Sequence, residues 1–243
     1  LAWRVSVREL KPSADPLSAA LAEVLAMDAP LERRLAVFLE KLRALGSPFA
    51  AEADRLVARL RASHAGDGAP EIGEFMPDFA LPDGTGRLTT LQDLLDTGPL
   101  VVSFNRGHWC PFCWIELDAL ASIQPALAVR GASVVSIVPD RQAFVRRFPT
   151  TISERIRVLT DVDAAYAASV ALAFWVDERL QQVMTEQNFS LETFQGSSTW
   201  LLPIPATFVV SQDGRVLRRF VDADFRRRMA VADILEALPA QRD

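Results

Sequence analysis

The sequence predicts an α/β fold, a mixed sheet covered by helices, with a helical block in front of it. Three observations carry this. Residues 17–64 hold apolar side chains at helical spacing. From residue 71 onward, short apolar β-branched runs alternate with helical patterns. A late hairpin over 207–221 adds antiparallel strands to that alternation, which argues for a mixed sheet. The chain has 243 residues, 50% apolar and 23% charged, enough for one large domain or a medium domain with an appendage.

In the first block the apolar sets are Leu21, Val24 and Leu25, then Leu35, Phe38, Leu39 and Leu42, then Leu56, Val57 and Leu60. Pro30 and Gly46-Ser47-Pro48 punctuate them, giving about three helices. Gly66-Asp67-Gly68-Ala69-Pro70 is a linker by composition. The chain thus divides into a helical extension over 1–66 and an α/β domain over 67–243. Within the second block, 79–81 and 87–89 flank a Pro-Asp-Gly-Thr-Gly turn and read as a small hairpin. Thr90 caps a short helix reaching Leu95. Residues 100–104, 134–138 and 156–159 are apolar runs suited to buried strands. Pro111 stands in the first turn of a helix running through Ile123, where its missing N–H costs nothing, and Pro125 interrupts that helix. Asp140 starts a further helix, and helical patterning runs from Asp163 to Met184. Residues 186–200 are polar without a clear period and form a loop or partly helical insertion. The hairpin of 207–210 and 216–221 and a terminal helix over 231–238 complete the chain.

A net charge of −5 argues against a nucleic-acid binder, which needs a basic face. The arginines between 215 and 228 are a local exception, read as a solvated strand face and turn or as an anion-attracting rim near a site. No run approaches the roughly 20 apolar residues of a membrane span. The first ten residues carry Arg4, Arg8 and Glu9, unlike a secretory segment, although a start at Leu1 leaves room for an upstream piece. The expected compartment is the cytoplasm. Only two cysteines in so long a chain suit a reducing environment.

Those two lie together in Trp109-Cys110-Pro111-Phe112-Cys113. A disulfide over so short a loop removes little chain entropy and would be a poor staple. A dithiol of this spacing at a helix start is the usual form of a redox-active pair. The free N–H groups and partial positive charge of the helix start favour a thiolate at Cys110, and Cys113, one turn further in, is the expected resolving thiol. Arg106 and His108 can add positive potential, or can serve a structural ion pair and a solvent-facing ring. Zinc needs about four ligands, and with His64 and His108 the only histidines no second ligand pair exists. An inert buried pair is the remaining alternative.

Phe104-Asn105-Arg106-Gly107-His108-Trp109-Cys110-Pro111-Phe112-Cys113 resembles the active-site stretch of peroxiredoxin-like proteins in the alkyl hydroperoxide reductase/thiol-specific antioxidant family. Gly73-Glu74-Phe75-Met76-Pro77-Asp78-Phe79-Ala80-Leu81 resembles that family's entry segment. Leu202-Pro203-Ile204-Pro205-Ala206-Thr207-Phe208-Val209-Val210 resembles the stretch holding the cis-proline of the thioredoxin fold. The resemblance spans about 71–239. It implies a thioredoxin-like three-layer fold, with Pro205 as the cis-proline facing the cysteines and Trp109 as the aromatic residue that shields the thiolate.

One departure matters. Peroxiredoxins typically carry proline seven residues before the peroxidatic cysteine and threonine or serine three before it; here those positions hold Ser103 and Gly107. The hydroxyl that would hold the peroxide is missing, and measurable but slow peroxide reduction is expected. The reading is a thiol-dependent antioxidant enzyme reducing peroxides through Cys110 and Cys113, with Arg106, Trp109 and Pro205 completing the site. It calls for no cofactor or metal, a peroxide or disulfide substrate, a thioredoxin-like reductant and a possible homodimer. The alternatives are a disulfide oxidoreductase with little peroxidase activity and a non-catalytic thioredoxin-fold binding module.

Overall fold

The structure, a computed structural model, describes residues 15–238. The expectation about the first ten residues lies outside them. Three helices come first: α1 (Pro16–Leu25), α2 (Leu31–Ala44) and α3 (Pro48–Ala62). A small antiparallel ribbon is next, β1 (Ala80–Pro82) and β2 (Leu88–Thr90), leading directly into α4 (Leu91–Leu95). Thr90 caps it as expected, and Asp93 reciprocates: the two exchange side-chain and backbone hydrogen bonds at its start. Then come β3 (Leu100–Phe104), α5 (Pro111–Ser122), α6 (Gln124–Ala128), β4 (Ser133–Val138), α7 (Gln142–Val145), α8 (Thr150–Ser153) and β5 (Arg157–Thr160). The last part holds α9 (Ala165–Ser169), β6 (Ala173–Trp175), α10 (Glu178–Glu186), α11 (Leu191–Gln195), β7 (Leu201–Pro203), β8 (Ala206–Val210), β9 (Val216–Val221) and α12 (Val231–Ala237).

The central sheet has the order β5-β4-β3-β8-β9. β3, β4 and β5 run parallel, while β8 is antiparallel to both β3 and β9. Every side chain of β3 and β8 is buried, which is why these segments read as mainly apolar runs without in–out alternation, Ser103 and Thr207 being their polar exceptions. α5 is apolar around most of its circumference and almost wholly buried. Its outer side is covered by α2, with Phe38 edge-on to Phe112 at 5.1 Å between ring centres. Arg34 of α2 pairs with Asp118 of α5 at 2.6 Å.

Three expectations are corrected. The stretch 163–184 is not one helical pattern. A 3₁₀ turn at Val162–Ala164, α9, β6 and α10 divide it, and positive φ angles at Asp163, Ala164 and Ala171 break the helical path. β6 pairs antiparallel with β7, setting buried Phe174 beside buried Leu202. Asp140 starts no helix, because its carboxylate is engaged by His108 and α7 begins two residues later. Finally, there are no cis peptide bonds among the described residues, so the Ile204–Pro205 bond is trans. The trans form is intrinsically favoured by roughly 0.5–1 kcal/mol even at proline. Here Ile204 N–H donates to Leu172 O and the next residue, Ala206, is paired with Phe104, so the segment is anchored on both sides of the bond.

Candidate active site

β3 ends at Phe104, and the chain turns through 105–109 into α5, so the site lies at the carboxyl end of a central strand. Asn105 anchors the turn. Its N–H donates to Ile137 O at 2.9 Å, and its side-chain amide donates to Ser103 Oγ at 2.7 Å and Ser136 Oγ at 3.3 Å. Gly107 has φ +134°, and a Cβ there would stand 2.6 Å from Trp109 Nε1 and 2.7 Å from Asp140 Oδ1. His108 is clasped by the fully buried Asp140, whose Oδ2 accepts from the His108 backbone N–H at 2.6 Å and lies 2.9 Å from its Nδ1. The His108 ring stacks on Phe144 and meets Phe194 edge-on, both at 4.9 Å. Trp114 Nε1 donates to His108 O at 2.5 Å, tying the loop to α5.

Cys110 is the N-cap of α5, with Pro111 in the first turn. Both cysteines are free thiols and fully buried. Arg106 Nη2 donates to Cys110 Sγ at 3.3 Å, and the Arg106 backbone N–H donates to Cys113 Sγ at 3.4 Å. The Arg106 guanidinium lies 3.6 Å from the centre of the Phe225 ring and 5.2 Å from that of Trp109. Burial alone would push the Cys110 thiol up. The hydrogen bond from Cys113 and the charges of Arg106 and Arg228 outweigh it, holding Cys110 well below the ordinary thiol range. Cys113 is pushed well above it by burial, by the hydrogen bond to Cys110 and by the charge on Cys110.

A second charged centre lies one turn along α5. Glu116, buried, accepts from Thr207 Oγ1 at 3.0 Å and Ser103 Oγ at 3.3 Å through Oε1, and from Arg228 Nε at 2.5 Å through Oε2. Burial raises its carboxyl, against the pull of Arg228. Arg228 also donates to Phe225 O and, at 3.6 Å through Nη2, to Cys113 Sγ. Beside Arg106 opens a cavity of about 70 Å³ lined by apolar side chains from four helices, among them Phe38, Leu56, Phe112 and Met184.

Of the residues singled out from sequence, Cys110, Cys113, Arg106 and Trp109 come together. Pro205 is buried one step beyond the Ala206–Phe104 pair, where the register continues toward Asn105. His108 does not face solvent but is buried against Asp140. The arginines of 215–228 are not uniformly solvated: Arg228 is buried at the site, and Arg226 is largely covered and bonded to Asp224. Sequence reasoning finds neither the pairing of Glu116 with Arg228 nor the hold of Asp140 on His108. The available signal was a carboxylate, Glu116, placed between the apolar Ile115 and Leu117 of a mostly apolar helix.

Residues 72–219 match the sequence model of the AhpC/TSA family. Over 187 residues the chain is 23% identical to a 1-Cys peroxiredoxin of Dictyostelium discoideum, an alignment covering 64% of this chain and 77% of that protein. It is 26% identical over 97 residues to a peroxiredoxin named bcp from Helicobacter pylori (strain J99), covering 40% of this chain and 63% of that one. Among solved structures it resembles peroxidoxin BcpB from Mycobacterium tuberculosis, with a TM-score of 0.55, 24% identity, and coverage of 72% of this chain and 99% of that one. Peroxiredoxin 6 of Arenicola marina gives a TM-score of 0.53 at 16% identity, covering 68% of this chain and 70% of the other.

Proposed function

The chain belongs to the AhpC/TSA family, and from that premise we propose that it reduces peroxides through a Cys110–Cys113 dithiol–disulfide cycle. The observation that carries the reading is the asymmetry of the pair. Cys110, at the start of α5 and 3.3 Å from Arg106, is held low, while Cys113 is held high. The Cys110 thiolate attacks one peroxide oxygen. A sulfur–oxygen bond forms, the O–O bond breaks, and the departing alkoxide or hydroxide takes up a proton. The sulfenic acid at Cys110 then condenses with Cys113, releasing water. An external dithiol, of the thioredoxin type, restores both thiols by exchange.

Arg106 supports the first step by placing a cation beside the oxygen that acquires charge. That guanidinium lies over the rings of Phe225 and Trp109. The apolar cavity next to Arg106 favours a hydroperoxide with an apolar substituent. Assembly as a homodimer and a cytoplasmic location belong to the same reading; no helix among the described residues is long and apolar enough to cross a membrane. The test is stopped-flow oxidation of the reduced protein by cumene hydroperoxide and by hydrogen peroxide. Second-order oxidation of Cys110, faster with cumene hydroperoxide, is the expected result; indifference to both peroxides beside rapid reduction of a model disulfide would refute it. That second reading, disulfide exchange, is favoured by one observation: Gly107 offers no hydroxyl to a peroxide and leaves no room for one.

A further inference from the structure

We propose that Arg228, held in place by Glu116, is a catalytic residue of the resolving step: it makes Cys113 a thiolate once Cys110 has been oxidised. The inference rests on the proposed cycle and assigns its second half to a residue outside the segment that matches the family, which ends at 219.

The two thiols are contacted by the side chains of two different arginines. Arg106 reaches Cys110 through its guanidinium, whereas its contact with Cys113 is through the backbone N–H alone. The side-chain cation that touches Cys113 Sγ is Arg228, through Nη2 at 3.6 Å. Arg228 is not a passing surface arginine. Its Nε donates to Glu116 Oε2 and its Nη1 to the carbonyls of Phe225 and Arg227, so its three nitrogens point in three fixed directions and one of them is aimed at the thiol. Glu116 is in turn fixed by the hydroxyls of Ser103 on β3 and Thr207 on β8. Glu116 is three residues beyond Cys113 on α5, which puts thiol and carboxylate on the same helix face. A buried ion pair is weak evidence for stability by itself, since desolvation offsets most of the attraction. This one carries a free donor toward a reacting sulfur, and that gives it a chemical use.

The arrangement also imposes an order on the cycle. In the reduced pair, Cys113 hydrogen-bonds to Cys110, and the charge on Cys110 opposes a second charge next to it. Oxidation turns Cys110 into a neutral sulfenic acid. That removes the opposing charge, while Arg228 remains in contact with Cys113. Cys113 therefore loses its proton only after Cys110 has reacted. Its thiolate attacks Cys110 Sγ, a sulfur–sulfur bond forms and the sulfur–oxygen bond breaks. The departing hydroxide takes the equivalent of the proton Cys113 released, so the products are one disulfide and one water. In the reverse sense, when a reducing dithiol attacks Cys110, Cys113 leaves as a thiolate beside the same cation.

The experiment resolves the two steps separately in the full chain. Arg228→Met removes the cation. Arg228→Lys retains a charge for Glu116 but cannot reach carboxylate and sulfur with fixed geometry, and it serves as the folded control should the methionine variant be too unstable. After mixing with cumene hydroperoxide, sulfenic acid is trapped with dimedone and disulfide is counted by mass spectrometry at each time. In a second arm, protein oxidised in advance with diamide is mixed with dithiothreitol, so that opening of the disulfide is measured whether or not peroxide is the substrate. The expected result is that either variant slows disulfide closure at least tenfold more than it slows the peroxide step, with a longer-lived dimedone-reactive species, and slows reduction by dithiothreitol about tenfold. Unchanged closure and opening rates in a folded Arg228→Lys or Arg228→Met protein would overturn the role of Arg228. A wild-type protein that forms and reduces the disulfide in the second arm but ignores peroxide would remove the peroxidase reading and leave the Arg228 assignment standing on the dithiothreitol rates.

Discussion

Gly107 sets the chemistry of its loop by what cannot be there. With φ at +134° and a would-be Cβ within 2.6–2.8 Å of Trp109 Nε1 and both Asp140 oxygens, a threonine at this position is strained by its backbone and by its packing. Gly107→Thr should therefore cost about 2–4 kcal/mol of stability, adding a disallowed backbone to an overpacked side chain. It should not accelerate peroxide reduction. A thermal melt with stopped-flow oxidation checks both, and a stable variant with a faster peroxide step would show that the loop does have room. At Cys110 the expectation is a pH profile. Its thiol is lowered by Cys113, Arg106 and Arg228 against burial, so it stays ionised below the usual value of about 8.5. Iodoacetamide alkylation should have its midpoint well below that pH, vanish in Cys110→Ser and persist in Cys113→Ser. Equal alkylation of the two serine variants would contradict the assignment. This part of the site was legible because Arg106, Trp109 and both cysteines are neighbours in the chain. Glu116 and Arg228 are 112 residues apart, and no local spacing connects them. Only the placement of Glu116 between Ile115 and Leu117 in a mostly apolar helix hinted that a buried partner existed.

At the scale of elements, the α3–α10 contact shows how charge positions a helix near the site. Asp177 is the N-cap of α10, accepting from Leu180 N–H, and it also receives Arg55 at 2.7 Å and Arg59 at 3.2 Å from α3. Partial burial raises its carboxyl, but the Arg55 hydrogen bond and the helix N–H prevail and the carboxyl is depressed. For an acid depressed in the folded state, the stabilisation is present above the unfolded value near 4 and is lost as pH falls through the folded one. Asp177→Ala should lose about 1 kcal/mol from the cap, and up to about 1 kcal/mol more from the half-exposed pairs. Asp177→Asn keeps the cap and loses only the pairs. Urea unfolding at pH 7 and at about pH 3.5, just under the unfolded value, distinguishes them: the gap between wild type and Asp177→Asn should narrow in acid, and a constant gap would disprove the linkage. Most elements were legible because period and caps are local, as at Thr90–Asp93. β6 was not, because three residues carry little pattern and its partner β7 lies nearly thirty residues further on. A short strand is specified by what it pairs with, and only the folded chain supplies that.

Across the whole molecule, the helical pattern of residues 17–60 announces a buried face without saying what it is buried against. The structure answers that: Leu35 and Phe38 of α2 belong to the same continuous core as the helix carrying both cysteines, and α3 and α10 close the apolar cavity beside Arg106. We accordingly treat the division at residue 66 as a boundary in the chain rather than in the core. Two consequences can be measured together on the full chain with Phe38→Ala. Phe38 is fully buried and edge-on to Phe112, so its truncation should cost about 3–5 kcal/mol. For a chain of this length each kcal/mol moves the melting temperature by about 2–4 °C, so the melt should fall by roughly 10 °C. If the core is shared, the loss shows as one cooperative transition displaced as a whole, and scanning calorimetry would reveal a separate early transition if the first three helices melted on their own. The second consequence is chemical. Phe38 lines the cavity, whose walls include neither cysteine, so its removal should alter the preference for cumene hydroperoxide over hydrogen peroxide while leaving the alkylation midpoint of Cys110 where it was. A changed midpoint with an unchanged preference would mean that the N-terminal helices act on the thiolate itself and not on what approaches it.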